Sequence, residues 1–201
     1  MRRLVGHAMT TALEKPVRLP EPPTDREVTP EELLANPQWG RCELVNGRVV
    51  LMSPAGYRHG WIGARLLLRV GQYAEANKLG AVCNADTGFR FPDGRTVRAP
   101  DVMFVSQARL PADALEDGYL PASPDLAVEV VSPDDPFKEV AAKAESYLAV
   151  GVRLVWVVEP HERRVYIFRP GRDVERVDSS GTLSGEDVIP GFELAVAALF
   201  E

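Results

Sequence analysis

The stretch PDLAVEVVSPDD, residues 124–135, contains the apolar run that decides the fold. Residues 125–131 (DLAVEVV) are almost continuously apolar, which is the pattern of a strand buried on both faces of a sheet. Residues 136–149 carry apolar side chains along one side and predict a helix. The segments 153–159 (RLVWVVE) and 164–170 (RVYIFRP) predict two further strands. This strand–helix–strand order indicates a sheet with helices packed beside it.

A β-hairpin is predicted upstream, in the segment RCELVNGRVVLMS. Its residues alternate around Asn46-Gly47, a dipeptide that strongly favours a two-residue hairpin turn. Strands are therefore expected at residues 41–45 and 48–52. Other strands are expected at residues 81–85, 88–91 and 101–105, with a weaker one in the C-terminal tail.

Two helices are predicted in the first half of the chain. A short one begins after Thr29, with Pro30 at its first position and Glu32 completing a capping box. Residues 59–78 lack strong helix breakers and predict a mostly buried helix. This helix has one polar stripe, formed by Arg65, Arg69 and Gln72. The stripe is interpreted as a solvated face or as a phosphate contact.

The length of 201 residues favours one domain with an appendage. Residues 1–26 are rich in proline and charge and predict a flexible N-terminal arm, while residues 27–201 predict a single domain. Met1 and Met9 are both candidates for the natural start. The expected fold class is mixed α/β (α+β), with a central mixed β-sheet flanked by helices and an N-terminal β-hairpin.

The composition is that of an ordinary globular protein, with 45% hydrophobic and 26% charged residues. No apolar run reaches the roughly 18 to 20 residues that span a bilayer, and residues 1–15 lack the apolar core of a signal peptide. Cys42 and Cys83 lack metal-ligand spacing and predict free thiols in a reducing cytoplasm. The net charge of −6 argues against an avid, non-specific nucleic-acid binder. It does not exclude an enzyme whose acidic site binds a metal ion.

Three charged residues interrupt the predicted buried elements. Asp101 begins the strand at 101–105, Glu129 lies inside the next apolar strand, and Lys143 lies on the helix that follows. At 100° per residue, Lys143 is about 110° from the middle of the apolar stripe of its helix. It therefore lies at the edge of the buried side.

Each of these residues also has a purely structural interpretation. Asp101 can accept backbone hydrogen bonds at the start of a strand, and Lys143 can be a solvated helix lysine. Glu129 can form an ion pair with Arg98 or Arg153.

The same three residue types match the requirements of phosphodiester hydrolysis. Carboxylate oxygens are ligands that Mg²⁺ prefers. The metal polarises the phosphate and lowers the pKa of a bound water. A lysine orients that water or stabilises the negative charge that develops.

The ordered set of Asp101, Glu129 and a lysine is similar to the catalytic signature of the PD-(D/E)XK restriction-endonuclease-like superfamily. The chain resembles most closely the Uma-type endonuclease family within it, from about Thr29 to Phe192. The matching segments are CELVNGRVVLMSP with a following His59, GFRFPDGRTVRAPDVMFV, PDLAVEVVSPDD and KAESYLAVGVRLVWVVEP. The resemblance implies a restriction-endonuclease-like core, a Mg²⁺ cofactor with Mn²⁺ as a substitute, and DNA as the substrate.

The position of the lysine departs from the commonest pattern of the superfamily. There the lysine lies two residues after the acidic residue, a position occupied here by Val131. The Uma-type pattern takes its lysine from the next helix, which implies Lys143, with Tyr147 one turn later as a supporting residue. Lys138 is the alternative because it is closer to the strand end. Its helical angle, however, places it on the flank away from Tyr147.

Two further residues are expected to support the site. Glu43 matches an acidic position of the family and is a third metal-directed carboxylate, the partner of a base, or an outward-facing strand residue. His59 is a neighbour of the metal-binding residues, a phosphate contact, or a helix-start residue without a role.

Ser132 with Asp134 and Asp135 is interpreted as the cap of the helix at 136–149.

The leading functional prediction is a Mg²⁺-dependent endonuclease that hydrolyses DNA phosphodiester bonds. One alternative is a catalytically inactive binding or regulatory module on the same fold, which the acidic net charge and Val131 favour. Another is a metal-dependent hydrolase of a small phosphate substrate. A homodimer is expected because restriction-type enzymes often cut both strands as dimers, and the apolar tail GFELAVAALF is its candidate interface.

Overall fold

The computed structural model describes residues 20–110, 118–133 and 135–201. Most of the predicted N-terminal arm lies outside these residues. The helices are α1 (Pro30–Leu34), α2 (Tyr57–Ala76) and α3 (Phe137–Ala149), with short 3-10 helices at Pro37–Trp39 and Val196–Leu199. The strands are β1 (Cys42–Val45), β2 (Arg48–Leu51), β3 (Gly80–Asn84), β4 (Phe89–Arg90), β5 (Val97–Arg98), β6 (Val102–Ser106), β7 (Leu126–Val130), β8 (Leu154–Glu159), β9 (Arg164–Phe168), β10 (Glu175–Asp178), β11 (Thr182–Ser184) and β12 (Glu193–Ala195).

The central sheet has six strands in the order β10-β9-β8-β7-β6-β3. β7 and β8 are parallel and are connected through α3, whereas the other neighbouring pairs are antiparallel. A parallel pair needs a long crossover, and α3 provides it. The predicted mixed α/β architecture with a central mixed sheet is confirmed.

β7 is buried on both faces, as its apolar sequence predicts. Leu126, Val128 and Val130 pack in the core that α2 covers, while Ala127 belongs to the core that α3 covers. Since side chains alternate between the two faces of a strand, Glu129 lies on the same face as Ala127. The carboxylate is therefore directed towards α3.

The predicted hairpin is formed by β1 and β2. Asn46 and Gly47 have φ values of 50° and 76°, as a type I′ turn requires. The hairpin belongs to a second sheet with the order β2-β1-β5-β4, which has its own small core. Leu44 is buried in that core, so the neighbouring Glu43 lies on the opposite face of β1.

α2 is less buried than its sequence suggested. It begins two residues before the predicted start, and its buried residues form one stripe of Ile62, Leu66, Val70 and Ala74. Leu68 is 55% exposed because the sheet covers only one side of the helix. The expectation of a mostly buried helix is therefore wrong. None of the described helices is both long and apolar enough to cross a bilayer.

The predicted cap of α1 is present in part. Thr29 Oγ1 accepts a hydrogen bond from the Glu32 backbone N–H at 3.1 Å, as expected. The Glu32 carboxylate, however, pairs with the Arg26 guanidinium instead of reaching back to Thr29. Only half of the capping box therefore forms.

The predicted cap of α3 is not found among the described residues. Its N-cap residue is Pro136, which makes no side-chain capping bond among the described residues. Asp135 Oδ2 instead accepts a hydrogen bond from the Ser132 backbone N–H at 3.3 Å, before the helix begins. Asp134 lies outside the described residues.

The apolar tail completes the core instead of forming an exposed surface. Phe192, Val196 and Leu199 are buried in the core that α2 covers. The tail contains β12 and the last 3-10 helix, and β12 pairs with β11. These three side chains are therefore not available for the dimer interface that the sequence suggested, and the role of the tail in a dimer stays a prediction.

The glycine at the start of β3 tests how closely β3 packs against β6. Gly80 has φ of +154°, and a Cβ atom there would lie 2.0 Å from the Val105 carbonyl oxygen. We expect Gly80→Ala to lower the free energy of unfolding by at least about 2 kcal/mol, because the backbone must shift. Urea denaturation followed by circular dichroism measures this change.

Gly71→Ala is the matched control for Gly80→Ala. Gly71 lies inside α2, and an added Cβ there meets no described atom within 4 Å. Since alanine favours the helix over glycine, we expect this variant to gain about 0.5–1 kcal/mol. Similar losses in both variants would contradict the assignment of Gly80 as a close approach.

Candidate active site

The charged residues singled out in the sequence meet where β6 begins and β7 ends. Val102 of β6 lies opposite Val128 of the antiparallel neighbour β7. Continuing this register by one residue places Asp101 beside Glu129. The first turn of α2 and the middle of α3 approach the same end of the sheet through His59 and Lys143.

Asp101 is fixed by the backbone and by a histidine. Its Oδ2 accepts a hydrogen bond from the Val130 backbone N–H at 2.8 Å, and His59 Nε2 lies 3.1 Å from the same oxygen. The structural role considered for Asp101 is therefore present, together with the contact to His59. Burial lowers the pKa of His59, but the hydrogen bond and charge of Asp101 outweigh it and raise that pKa overall.

Glu129 is held by a lysine and a tyrosine of α3. Its Oε1 accepts a hydrogen bond from the Tyr147 hydroxyl at 2.7 Å and lies 3.0 Å from Lys143 Nζ. The two arginines considered as partners pair elsewhere: Arg98 with Glu43, and Arg153 with Asp125 and Asp187. The proposed arginine pairing of Glu129 is therefore wrong.

The carboxyl group of Glu129 titrates far from its usual range. Its pKa is raised overall from 4.5 to about 7. Burial is the largest cause, the charges of Asp101 and Glu43 add to the rise, and the charge of Lys143 opposes it. The site therefore crowds negative charge around a buried carboxyl group.

Lys143 bridges two carboxylates. Its Nζ lies 3.0 Å from Glu129 Oε1 and 3.1 Å from Glu43 Oε1, and its side chain is only 15% exposed. Burial lowers the pKa of Lys143, but the two carboxylates outweigh it and raise that pKa overall. Lys143 is thus not a solvated helix lysine. Lys138 is exposed and pairs with no described carboxylate.

Glu43 is buried, and the outward-facing orientation considered for it is wrong. Its side chain is 3% exposed, with Arg98 Nη1 2.7 Å from Oε2 and the Ala99 backbone N–H donating to Oε1 at 3.0 Å. Burial raises the pKa of Glu43, but the charges of Lys143 and Arg98 and its hydrogen bonds outweigh it and hold that pKa below its usual value. Of the roles considered for Glu43, the structure therefore contains the pairing with basic side chains, those of Arg98 and Lys143.

The structure brings six sequence-predicted residues into one set: Asp101, Glu129, Lys143, Glu43, His59 and Tyr147. Sequence reasoning missed the role of Arg98, which neutralises Glu43. The two-residue strand β5 carries Arg98 and pairs with β1, and a strand this short has no periodic pattern to reveal it.

The donor set fits a hard divalent cation. Among the described residues, no three His, Cys, Asp or Glu side chains are grouped closely enough to hold a metal ion by themselves. Mg²⁺, however, commonly binds one or two carboxylates and keeps water or substrate phosphate as its other ligands. Asp101 and Glu129 meet this requirement, and the charge of Asp101 is one cause of the raised pKa of Glu129. A cation bound by both would offset that repulsion.

The raised pKa of Glu129 predicts a stability change with pH in the absence of divalent ions. The native state binds this proton more tightly than the unfolded chain, so the free energy of unfolding falls as pH rises from about 4.5 to about 7. We expect a contribution of about 3 kcal/mol from this group. Denaturation from pH 4 to pH 8 should therefore show the wild type losing this much stability relative to Glu129→Gln. A Glu129 carboxyl ¹³C resonance that titrates near pH 4.5 would contradict this prediction.

Comparison with known proteins identifies the family. Residues 30–197 match the model of the Uma2 family, described as "Putative restriction endonuclease". A crystal structure from Anabaena variabilis ATCC 29413, of a "putative nuclease belonging to DUF820", has the same fold with a TM-score of 0.74 and 20% sequence identity. The match covers 86% of this chain and 97% of that one. No curated protein matches the sequence. The resemblance seen in the motifs is thus confirmed, and the chain belongs to the Uma2 family.

Proposed function

We propose that this chain is a Mg²⁺-dependent endonuclease that hydrolyses DNA phosphodiester bonds. The observation that carries the proposal is the convergence of Asp101, Glu129 and Lys143 from two neighbouring strands and one helix. Membership of the Uma2 family, whose description names a restriction endonuclease, supports the reaction type.

Asp101 and Glu129 are the proposed metal ligands, with Mn²⁺ as a substitute for Mg²⁺. When bound, the metal polarises the scissile phosphate and lowers the pKa of a water. The chain orients both ligands. Asp101 is held by His59 and by the Val130 N–H, and Glu129 by the Tyr147 hydroxyl. Such supporting contacts keep metal ligands in one orientation.

Lys143 is the proposed electrostatic catalyst. Its raised pKa keeps it protonated at neutral pH, so it can stabilise the negative charge that develops on the phosphate. The contact with Glu43 restricts the lysine to the neighbourhood of Glu129. A preorganised charge of this kind needs little reorganisation during the reaction.

The proposal extends to assembly and location. A homodimer would supply two sites, one for each strand of a duplex. A cytoplasmic location agrees with Cys42 and Cys83, which are both free thiols.

Plasmid nicking with Mg²⁺ or Mn²⁺ tests the catalytic roles. We expect Glu129→Ala and Lys143→Met to lower the cleavage rate by about 100-fold or more, because each removes a group proposed to stabilise the transition state. Lys138→Met removes an exposed lysine from the same helix and is the matched control, with a rate within about twofold of the wild type. Equal cleavage by the wild type and Glu129→Ala would remove Glu129 from the mechanism.

An inactive binding or regulatory module is the second candidate. The observation that favours it is the pairing of Lys143 with two carboxylates, since this set is already partly neutralised without a cation. A metal-dependent hydrolase of a small phosphate shares the proposed site, and substrate profiling separates it from a nuclease.

Metal binding distinguishes the nuclease from the inactive module. For the nuclease we expect Mn²⁺ binding by calorimetry and a melting temperature that rises with Mn²⁺ concentration, because the ligand binds the folded state. Asp101→Asn should weaken both effects, since it removes one charged ligand. If the wild type shows no heat of Mn²⁺ binding and no thermal shift with Mn²⁺, the inactive module is favoured.

A further inference from the structure

One flank of α2 carries a row of arginines, defined by Arg58, Arg65 and Arg69. They are separated by seven and four residues, so at 100° per residue they lie within an arc of about 40°. Glu75 is the acidic residue of this helix, near its other end. A positive stripe is therefore present on a chain whose net charge is −6.

The arginine row is not neutralised by the described part of the chain. No described carboxylate lies within 4.0 Å of Arg58, Arg65 or Arg69. Among the other described arginines, eight form ion pairs and five do not: Arg41, Arg48, Arg163, Arg172 and Arg176. The paired arginines are Arg26, Arg90, Arg95, Arg98, Arg109, Arg153, Arg164 and Arg169. The unpaired charge of the row is thus available to an anionic partner.

Two arginines of the row are held in place by contacts that leave donors free. Arg58 donates to the Pro160 carbonyl oxygen. Arg65 Nε donates to the Ala198 carbonyl oxygen at 3.0 Å, and its guanidinium lies 4.5 Å from the centroid of the Trp61 ring. These contacts restrict the side chain and leave the two Nη groups of Arg65 for a ligand.

The row begins at the proposed catalytic site. Arg58 is followed directly by His59, whose Nε2 lies 3.1 Å from Asp101. From Arg58 to Arg69 the helix rises about 16 Å, which corresponds to about five base-pair steps along the axis of duplex DNA. The row ends at Arg69, where Glu193 lines the same surface groove.

We propose that the arginine row of α2 docks the phosphate backbone of duplex DNA beside the cleavage site. This inference rests on the proposed nuclease function and adds the surface that positions its substrate. A guanidinium group matches the geometry of phosphate oxygens and stays charged at all relevant pH values. The linear spacing of the row fits an extended polyanion, which carries regularly repeated charges.

The salt dependence of DNA binding tests the docking surface. The full chain is titrated with a fluorescein-labelled duplex in EDTA, which prevents cleavage, at several NaCl concentrations. Removing two phosphate contacts should make the slope of log K against log salt shallower by about two units. We expect this change for Arg65→Gln/Arg69→Gln, with affinity at low salt weaker by about tenfold or more. Arg65→Lys/Arg69→Lys should keep most of the slope because it keeps both charges.

Arg172→Gln/Arg176→Gln is the matched control because both arginines are exposed and the net charge changes equally. We expect its slope to stay within about half a unit of the wild type. Equal changes in both glutamine variants, or no binding of DNA by the wild type, overturn the docking surface. A changed oligomeric state with an unchanged slope also overturns it, by assigning the row to a contact between copies.

Nicking assays in Mg²⁺ separate this inference from the proposed function. Wild-type cleavage together with an unaltered slope in Arg65→Gln/Arg69→Gln overturns the docking surface alone. A slope that depends on the row, without any cleavage by the wild type, overturns the nuclease function alone. Thermal melting of each variant verifies that the fold is retained.

Discussion

An ammonium group held between two buried carboxylates connects the main parts of this molecule. Lys143 comes from α3, Glu129 from the central sheet and Glu43 from the hairpin sheet. Removing one partner from such a set leaves an uncompensated buried charge, which is strongly destabilising. The second sheet is therefore tied to the central one through the same charges that form the candidate site.

The site divides into two charge centres that different helices supply. α2 delivers His59 to Asp101, while α3 delivers Lys143 and Tyr147 to Glu129. Burial raises the pKa of both acidic residues near Lys143, but the charges of Lys143 and Arg98 and the hydrogen bonds lower the pKa of Glu43 overall, whereas that of Glu129 is raised to about 7. Carboxyl groups with opposite shifts are typical of sites that perform chemistry.

The sequence predicted those parts of the fold that have a strong local pattern. The apolar run of β7, the Asn46-Gly47 turn and the helical angle of Lys143 each led to the arrangement found, because burial period and turn geometry are local properties. The two-residue strand β5 was too short to show a period and was not predicted. The burial of Glu43 depends on how two sheets pack, which no local pattern contains. The apolar side chains of the tail pack in the core. An apolar sequence alone does not distinguish a segment of the core from a segment that forms an interface.

The bridge formed by Lys143 also has a consequence for the order of folding. Its contact with Glu129 is close in sequence, whereas its contact with Glu43 joins distant parts of the chain. Contacts that close long loops form late, because their entropic cost precedes their gain. A chain in which only the central sheet and α3 had formed would therefore hold the lysine at one anchor only. The full orientation of its ammonium group is a property of the completed native state.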